Sequence, residues 1–482
     1  MENKKNITKN YIYNLIYQIL TIILPIITTP YLSRVLGAEG IGIYGYTISI
    51  VTYFTLIGAL GISKYGQREI AYVQNDKENR SRVFWELNII RICTISITLL
   101  IFWLAFCLKG EYVTYYRILL LELIAVLLDI TWFFQGIEDF KKVVIRNIII
   151  KLISVILIFM LVKKSEDLIK YFYIYALSNF LGNGTLWINI KKYVSMVKIN
   201  FKDLKKHIKP MISLFIPQIA TSIYTVLDKT MLGILENNIS EVGYYEQSQK
   251  IIKIALTFVT TMSVVMLPRI SNVYAKGETE KIKEYMKKSF NFNWFLSIPI
   301  IFGIIYISKN FVPWFYGNGY EKIIGLLIYT SPIILFIAFS TTIGSQYLIS
   351  VKKQNIQTIA VGIGAIVNVI LNFILIPKLK SVGAVIATVI AEFLIVLTET
   401  IYVINNGNMK LKYIFKGAYK YMFAGIIMCI FTYLISTQMP IGAICTICQI
   451  LIGIVIYIGV LLIFNDEFLK GILNKLLKRK EV

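Results

Sequence analysis

Ala443-Ile-Cys-Thr-Ile-Cys-Gln-Ile-Leu-Ile-Gly-Ile-Val-Ile-Tyr-Ile-Gly-Val-Leu-Leu-Ile-Phe464 is 22 residues long and carries no charge. Coiled as an α-helix at about 1.5 Å per residue, such a segment matches the hydrocarbon thickness of a bilayer. Thirteen further apolar stretches precede it, at approximately 11–33, 41–63, 84–108, 117–134, 143–162, 170–190, 211–233, 247–268, 289–309, 323–349, 356–376, 384–404 and 419–437. The polar connections are short, so almost nothing is left over for a soluble domain. The reading is an all-α, multi-pass integral membrane protein with about 14 transmembrane helices.

Charge orients the bundle. The connections alternate between lysine-rich and lysine-poor, and an even number of spans puts both termini on one side. That side carries 34 of the 50 Lys and Arg residues and the opposite side 9, the rest lying inside spans. The positive-inside rule therefore places both termini in the cytoplasm. The strongest single element is the connection 191–210, with seven lysines. A net charge of +23 would suggest a nucleic-acid partner in a soluble protein, but here it is topogenic and no nucleic-acid partner is expected. The basic loops are placed to meet anionic lipid headgroups.

Several chemistries are argued against by what the chain lacks. Lys4, Lys5 and Lys9 precede the first apolar segment, whose length and lack of a small-residue cleavage site predict a retained span. Cys93, Cys107, Cys429, Cys445 and Cys448 all fall inside spans, where thiols mostly pack. Cys445-x-x-Cys448 has no second pair of ligands in its apolar helix, so no metal site is expected. His207 is the only histidine and falls in the basic connection 191–210, so neither a Ser-His-Asp nor a Cys-His arrangement can form within the bundle. There is no Gly-x-x-x-x-Gly-Lys-Ser/Thr sequence. The chain is not expected to be an enzyme or to carry a cofactor.

Internal repetition divides the spans. Phe140-Lys141-Lys142 leads into the fifth span and Val351-Lys352-Lys353 into the eleventh, each after a glutamine-bearing segment, Gln135 and Gln346. Gly40-Ile-Gly-Ile-Tyr44 opens the second span, and Val242-Gly-Tyr-Tyr-Glu246 opens the eighth. The expected organisation is two six-helix lobes, 1–200 and 201–408, and a helix pair, 409–482, with a basic cytoplasmic tail.

Six blocks, in order along the chain, resemble a known family. They are Thr29-Pro-Tyr-Leu-Ser-Arg-Val-Leu-Gly-Ala-Glu-Gly-Ile-Gly-Ile-Tyr44, Gln135-Gly-Ile-Glu-Asp-Phe140, Asp228-Lys-Thr-Met-Leu-Gly233, Val242-Gly-Tyr-Tyr-Glu-Gln-Ser-Gln-Lys250, Leu267-Pro-Arg-Ile270, and Asn372-Phe-Ile-Leu-Ile-Pro377 with Gly383-Ala384. Together they resemble the Wzx-type polysaccharide-repeat-unit flippases of the multidrug/oligosaccharidyl-lipid/polysaccharide exporter superfamily. The resemblance implies a twelve-plus-two helix bundle in a bacterial plasma membrane, with a central cavity between two lobes. It implies a substrate, polyprenyl-diphosphate-linked oligosaccharide, carried from the inner to the outer leaflet, and other membrane proteins of polysaccharide assembly as partners.

Such a cargo needs cations in a wet interior, and charges inside spans are costly enough to mark function. Toward the outer side lie Arg34, Asp228, Lys229, Lys250 and Lys253. Arg34, Lys229, Lys250 and Lys253 are candidate substrate-binding residues. Arg34 follows Pro25 and Pro30, which are expected to bend its helix. Lys250 and Lys253 share a helix face with Glu246; the competing reading is that both snorkel to headgroups. Arg34 and Asp228 are a candidate gating pair, unless Asp228 serves only to neutralise Lys229 or Lys250. Toward the cytoplasmic side lie Arg91, Asp129, Arg146 and Lys151. These, with Glu122 and Glu392, are candidates for ion coupling or for structural pairing within a lobe. Glu122 and Asp129 are seven residues apart, as are Glu392 and Glu399, so each pair is expected on one face.

Two rival functions are weighed by the same residues. A multidrug or toxin extrusion antiporter of small organic cations wants acidic residues in its pocket, whereas the first span has none and the outer cluster is net basic. A membrane enzyme of polysaccharide assembly would need a sizeable outer loop carrying acids, bases or nucleophiles, and the outer loops are short.

Overall fold

The computed structural model describes the backbone of residues 2–406 and 410–478, and the side chains of 16–215, 226–406 and 410–474. The last residues of the basic tail, 479–482, lie outside the described residues. The chain divides into two compact units, Met1–Gly233 with Asn238–Gly243, and Ile234–Asn237 with Tyr244–Val482.

In the first unit, α1 (Glu2–Ala59) contains the first two expected spans. They part at Gly37, where φ is 69° and ψ 175°, and not at Pro25 or Pro30. A positive φ costs glycine little, whereas both prolines are accommodated within the helix. Helix α2 (Ile62–Tyr72) is followed by α3 (Lys77–Phe106), whose N-cap Asp76 accepts from the main-chain N–H groups of Glu78 and Asn79 at 3.0 and 3.1 Å. The fourth expected span is two helices, α4 (Val113–Leu128) and α5 (Thr131–Gly136). Helices α6 (Phe140–Leu161), α7 (Leu168–Trp187) and α8 (Lys205–Leu235) follow, the last passing into the second unit at Ile234.

The second unit continues with α9 (Ser240–Ala275), α10 (Thr279–Tyr316), α11 (Lys322–Thr330) and α12 (Ile333–Ser340). A π-helical segment, Thr341–Leu348, extends α12. Then come α13 (Gln354–Leu379), α14 (Ser381–Asn405), α15 (Leu411–Phe415), α16 (Ala418–Gln438), α17 (Ala443–Ile463) and α18 (Glu467–Lys478). All fourteen expected spans fall on helices. Among the described residues eleven helical stretches are long and apolar enough to cross a membrane, the first of them joining two expected spans; α7 and α8 are not among the eleven.

Each unit buries its own apolar core. In the first, Phe102, Tyr116, Leu119 and Phe172 form one cluster and Phe84, Trp132, Phe133 and Met211 another. In the second, Phe290, Trp294, Phe339 and Tyr421 are central, and the Trp294 indole donates to the Ile414 carbonyl at 2.8 Å. Large side chains such as Ile97, Leu104, Ile366 and Val455 lie exposed on the outside. That arrangement suits a molecule whose solvent is lipid.

One turn recurs. After α5, Glu138 (φ 61°) donates to the Gln135 carbonyl at 3.1 Å and Asp139 to that of Phe134 at 2.9 Å. After the π-helical segment, Lys352 (φ 60°) donates to Ile349 at 3.1 Å and Lys353 to Leu348 at 2.7 Å. The same pair of bonds surrounds Gly277 (φ 73°) and Asn465 (φ 51°). In each case a left-handed residue ends one helix by satisfying its last carbonyls, and the next helix begins two residues later.

Small residues let the first unit close tightly. A Cβ on Gly42 would overlap the carbonyl of Ile239, and one on Gly243 that of Ala38. Gly233 is filled in the same way by the Tyr46 ring, while Ser49 and Tyr53 lie 2.8 and 3.1 Å from the Thr230 hydroxyl. Close backbone approach through small side chains is the usual means of packing helices where lipid supplies no hydrophobic drive.

Candidate functional site

Five helices of the first unit bring polar groups together at membrane depth. Arg91 on α3 is 1% exposed and donates to the main-chain carbonyls of Val126, at 3.4 Å, and Asp129, and its guanidinium lies 5.7 Å from the Trp132 ring centre. It therefore closes the C-terminal end of α4, where a cation meets unsatisfied carbonyls. The bond goes to the backbone of Asp129 and not to its carboxylate, which instead accepts from the Thr131 N–H at 2.9 Å to start α5. Asp129 is also the residue at which α4 ends, with φ −74° and ψ 101°, so its heptad spacing from Glu122 no longer describes a shared helix face.

The network continues through Thr131. Arg146 on α6 donates to the Thr131 hydroxyl at 3.0 Å and to Asn183 Oδ1 on α7 at 2.7 Å; its Nε is buried without a partner. Asn183 donates to the Ala125 carbonyl at 2.8 Å, and Asn179, one turn earlier, donates to the Glu122 carboxylate at 2.8 Å. Lys151, also on α6, lies 5.2 Å from the Tyr17 ring centre. Both hydrogen-bond partners of Arg146 are neutral, and the Asp129 carboxylate is near enough to offset part of its charge. Arg91, Asp129 and Arg146 are thus joined in one network, with Glu122 and Lys151 beside it.

The outer candidates are divided between the two units. Arg34 is exposed on α1, three residues before the break at Gly37, while Asp228 is buried and Lys229 half-buried on α8. All three belong to the first unit. Lys250 is half-buried and Lys253 exposed on α9, in the second unit. Each of the five engages a neighbouring group. Glu392 is buried on α14 and is also engaged.

Sequence reading missed three features. Thr131, Asn179 and Asn183 complete the Arg146 network, and the only trace in sequence was an amide pair four residues apart in an apolar span. In the second unit, Asn368, Asn372 and Thr388 form a buried cluster in which the Asn372 amide donates to Asn368 at 3.1 Å and the Asn368 amide to Thr388 at 3.3 Å. The third is His207, expected in a connection. It lies in the first turn of α8, is 2% exposed, and is held between Tyr65 and Glu86 at 2.7 and 2.8 Å. Among the described residues no group of three or more His, Cys, Asp or Glu side chains is placed to hold a metal.

Comparison with known proteins agrees along the length of the chain. The family model for polysaccharide biosynthesis proteins matches residues 7–274, and that for the lipid II flippase MurJ matches 149–453. A protein described as an O-antigen transporter of Escherichia coli (strain K12) is 24% identical over 84% of this chain and 98% of its own length. A protein of Haloferax volcanii, described as the low-salt glycan biosynthesis flippase Agl15, is 24% identical over 50% of each chain. The fold is similar to that of lipid II flippase MurJ in an inward closed conformation, with a TM-score of 0.74 and 19% identity over 97% of this chain and 100% of that one. An inward-facing multidrug transporter of the same superfamily has a TM-score of 0.61 at 15% identity, over 81% of this chain and 94% of that one. The chain belongs to the polysaccharide biosynthesis protein family, as a Wzx-type member of the multidrug/oligosaccharidyl-lipid/polysaccharide exporter superfamily.

Proposed function

We propose that this protein moves polyprenyl-diphosphate-linked oligosaccharide from the inner to the outer leaflet of the plasma membrane for cell-surface polysaccharide assembly. The observation that carries this reading is Arg146, a half-buried guanidinium at membrane depth whose two hydrogen-bond partners are neutral, with Lys151 five residues on. A diphosphate entering a low-dielectric interior requires such charge, and a guanidinium offers it in a fork that matches phosphate oxygens. The relatives described as an O-antigen transporter and as a glycan biosynthesis flippase support the same cargo class. An antiporter of organic cations fits less well, because this cluster would repel its substrate.

In this reading the lobes 1–200 and 201–408 alternate access to a cationic cavity, and the helix pair 409–482 follows them in the chain. Arg34, Lys229, Lys250 and Lys253 meet the diphosphate near the outer side, and Arg34 with Asp228 gates it. Both termini face the cytoplasm, as the lysine asymmetry requires. The test is reconstitution of the purified protein in vesicles, with a labelled lipid-linked oligosaccharide in one set and a cationic dye in another. Movement of the glycan without dye transport is the expected result; dye transport without glycan movement would overturn the proposal.

A further inference from the structure

Glu399 on α14 is fully buried; neither carboxyl oxygen makes a well-formed hydrogen bond, and the Ser340 hydroxyl of α12 stands beside the group. Its side chain fills the space beside Gly344 in the π-helical segment, where any Cβ would collide with Oε1. The nearby donor does not turn to it: the Gln357 amide, which also borders Gly344, donates to the Ser345 hydroxyl at 3.0 Å. One neighbouring hydroxyl does not compensate an ionised carboxylate in such surroundings, and the economical way to bury it is as the neutral acid.

A cavity of about 470 Å³ lies in the same unit, and its lining approaches Glu399 along two helices. It is lined by Tyr274, Lys283, Tyr347, Lys353, Tyr402 and Asn406, among others, which stand at the ends of α9, the π-helical segment and α14 and at the starts of α10 and α13. Tyr402 is one turn from Glu399 along α14, and Tyr347 is one turn from Gly344 along the π-helical segment. The lining thus comes within one helical turn of Glu399 on α14 and of Gly344 on the π-helical segment. One of those turns is π-helical, a widened geometry found frequently at functional sites.

We infer that Glu399 is a proton-binding site of the second unit, loaded and unloaded through the Tyr274–Tyr347–Tyr402 cavity. The exchange is that of a carboxylate with hydronium: the acid forms and water is released. Loss of the proton leaves a charge that must draw in water or a donor, so α14 loosens from the Gly344 turn. Discharge thus opens a path toward the cavity. The titratable groups around the site are Glu392 two turns away on α14, Tyr402 and Tyr347 in the cavity wall, and Tyr274, Lys283 and Lys353 around the cavity. Helix α12 faces it with Ser340, and Tyr329 of α11 is exposed. The inference is independent of the cargo.

The test uses the full-length protein in detergent and a hydrophobic carbodiimide, which reacts with protonated carboxyl groups in apolar surroundings. Peptide fragmentation should find the adduct at Glu399 at pH 7, and labelling should fall about tenfold per pH unit once the acid ionises. Glu399→Gln should lose that adduct, and Glu392→Gln should keep it. In infrared spectra the protonated-carboxyl band lost in Glu399→Gln should shift in deuterium oxide, several-fold more slowly when Val351→Trp fills the cavity. No adduct at Glu399 at any pH would overturn the site, and an unchanged exchange rate in Val351→Trp would overturn the route.

Discussion

His207 Nε2 lies 2.8 Å from Glu86 Oε2, and the Tyr65 hydroxyl stands 2.7 Å from the other ring nitrogen. All three side chains are at least 97% buried, and the Lys206 ammonium reaches the same Glu86 oxygen at 2.9 Å from a more exposed position. The only histidine of the chain thus ties the first turn of α8 to α2 and α3. Removing His207 leaves a buried carboxylate short of a partner, and removing Glu86 leaves a buried imidazole without its own, so His207→Ala and Glu86→Ala should each cost about 2–4 kcal/mol. Thermal unfolding in detergent measures both. In a double-mutant cycle the pair should cost clearly less than the sum, and simple additivity would show that the contact contributes nothing.

The recurrent turn predicts a stabilising change. Lys352 and Glu138 hold left-handed backbone that costs an L-residue with a Cβ about 1–2 kcal/mol. Glycine removes that cost, less what it loses in unfolded-state entropy, and Gly277 already occupies the equivalent place. Lys352→Gly should therefore raise the unfolding temperature by a few degrees, and Gly277→Ala should lower it. A fall in Lys352→Gly would mean that its side chain supplies a contact outweighing the backbone.

These turns also show what could be read from sequence. The length of the apolar runs located the helices: 443–464 is α17 almost to the residue. The matched turns after α5 and after the π-helical segment pair Glu138 with Lys352 and Phe140 with Gln354, three residues off the register that Phe140-Lys-Lys and Val351-Lys-Lys suggest. Hydrogen bonds of the main chain define that register and leave no fixed residue type behind. His207 was read as loop because lysines surround it, yet α8 begins at Lys205 and buries one face of its charged first turn. The Arg146 network was half legible. Charges inside spans announce themselves, whereas the neutral residues that hold them depend on which helix faces meet.

Arg146 separates charge from hydrogen bonding. Arg146→Gln keeps a donor for Asn183 or Thr131 but loses the cation. If the guanidinium meets a phosphate, the lost charged hydrogen bonds are worth about 1.5–3 kcal/mol, so transport should fall roughly ten- to hundredfold. Arg146→Lys should retain part of it, since a point charge remains without the fork. Rates come from the reconstituted glycan assay, with unfolding temperature as the control for folding. Wild-type transport by Arg146→Gln would remove this residue from the cargo path.

Orientation is checked by single cysteines in a background lacking the native five. Asn238, Asn318 and Ser195 are all exposed, so reactivity reports sidedness rather than burial. Impermeant maleimide on intact cells should label positions 238 and 318, and label position 195 only after permeabilisation. Labelling of position 195 from outside would reverse the assignment of both termini to the cytoplasm.

The proposed gate is the most exacting test of the outer cluster. Arg34 stands three residues before the Gly37 break, where the first half of α1 ends, and Asp228 is buried on α8 two residues from Thr230, which touches Ser49 and Tyr53 of the second half. Both belong to one compact unit, and α1 changes direction between them. An ion pair made when the outer end is closed and broken when it opens would bias that equilibrium by about 1–3 kcal/mol, a severalfold or greater change in population without locking either state. Arg34→Asp should leave like charges facing each other, and Asp228→Arg should do the same with the opposite sign. Each single change should therefore cut glycan transport, and Arg34→Asp with Asp228→Arg together should recover part of it. Should the double variant transport no better than the poorer single one, Asp228 instead serves Lys229 or Lys250 locally, and charge reversal of those lysines becomes the informative experiment.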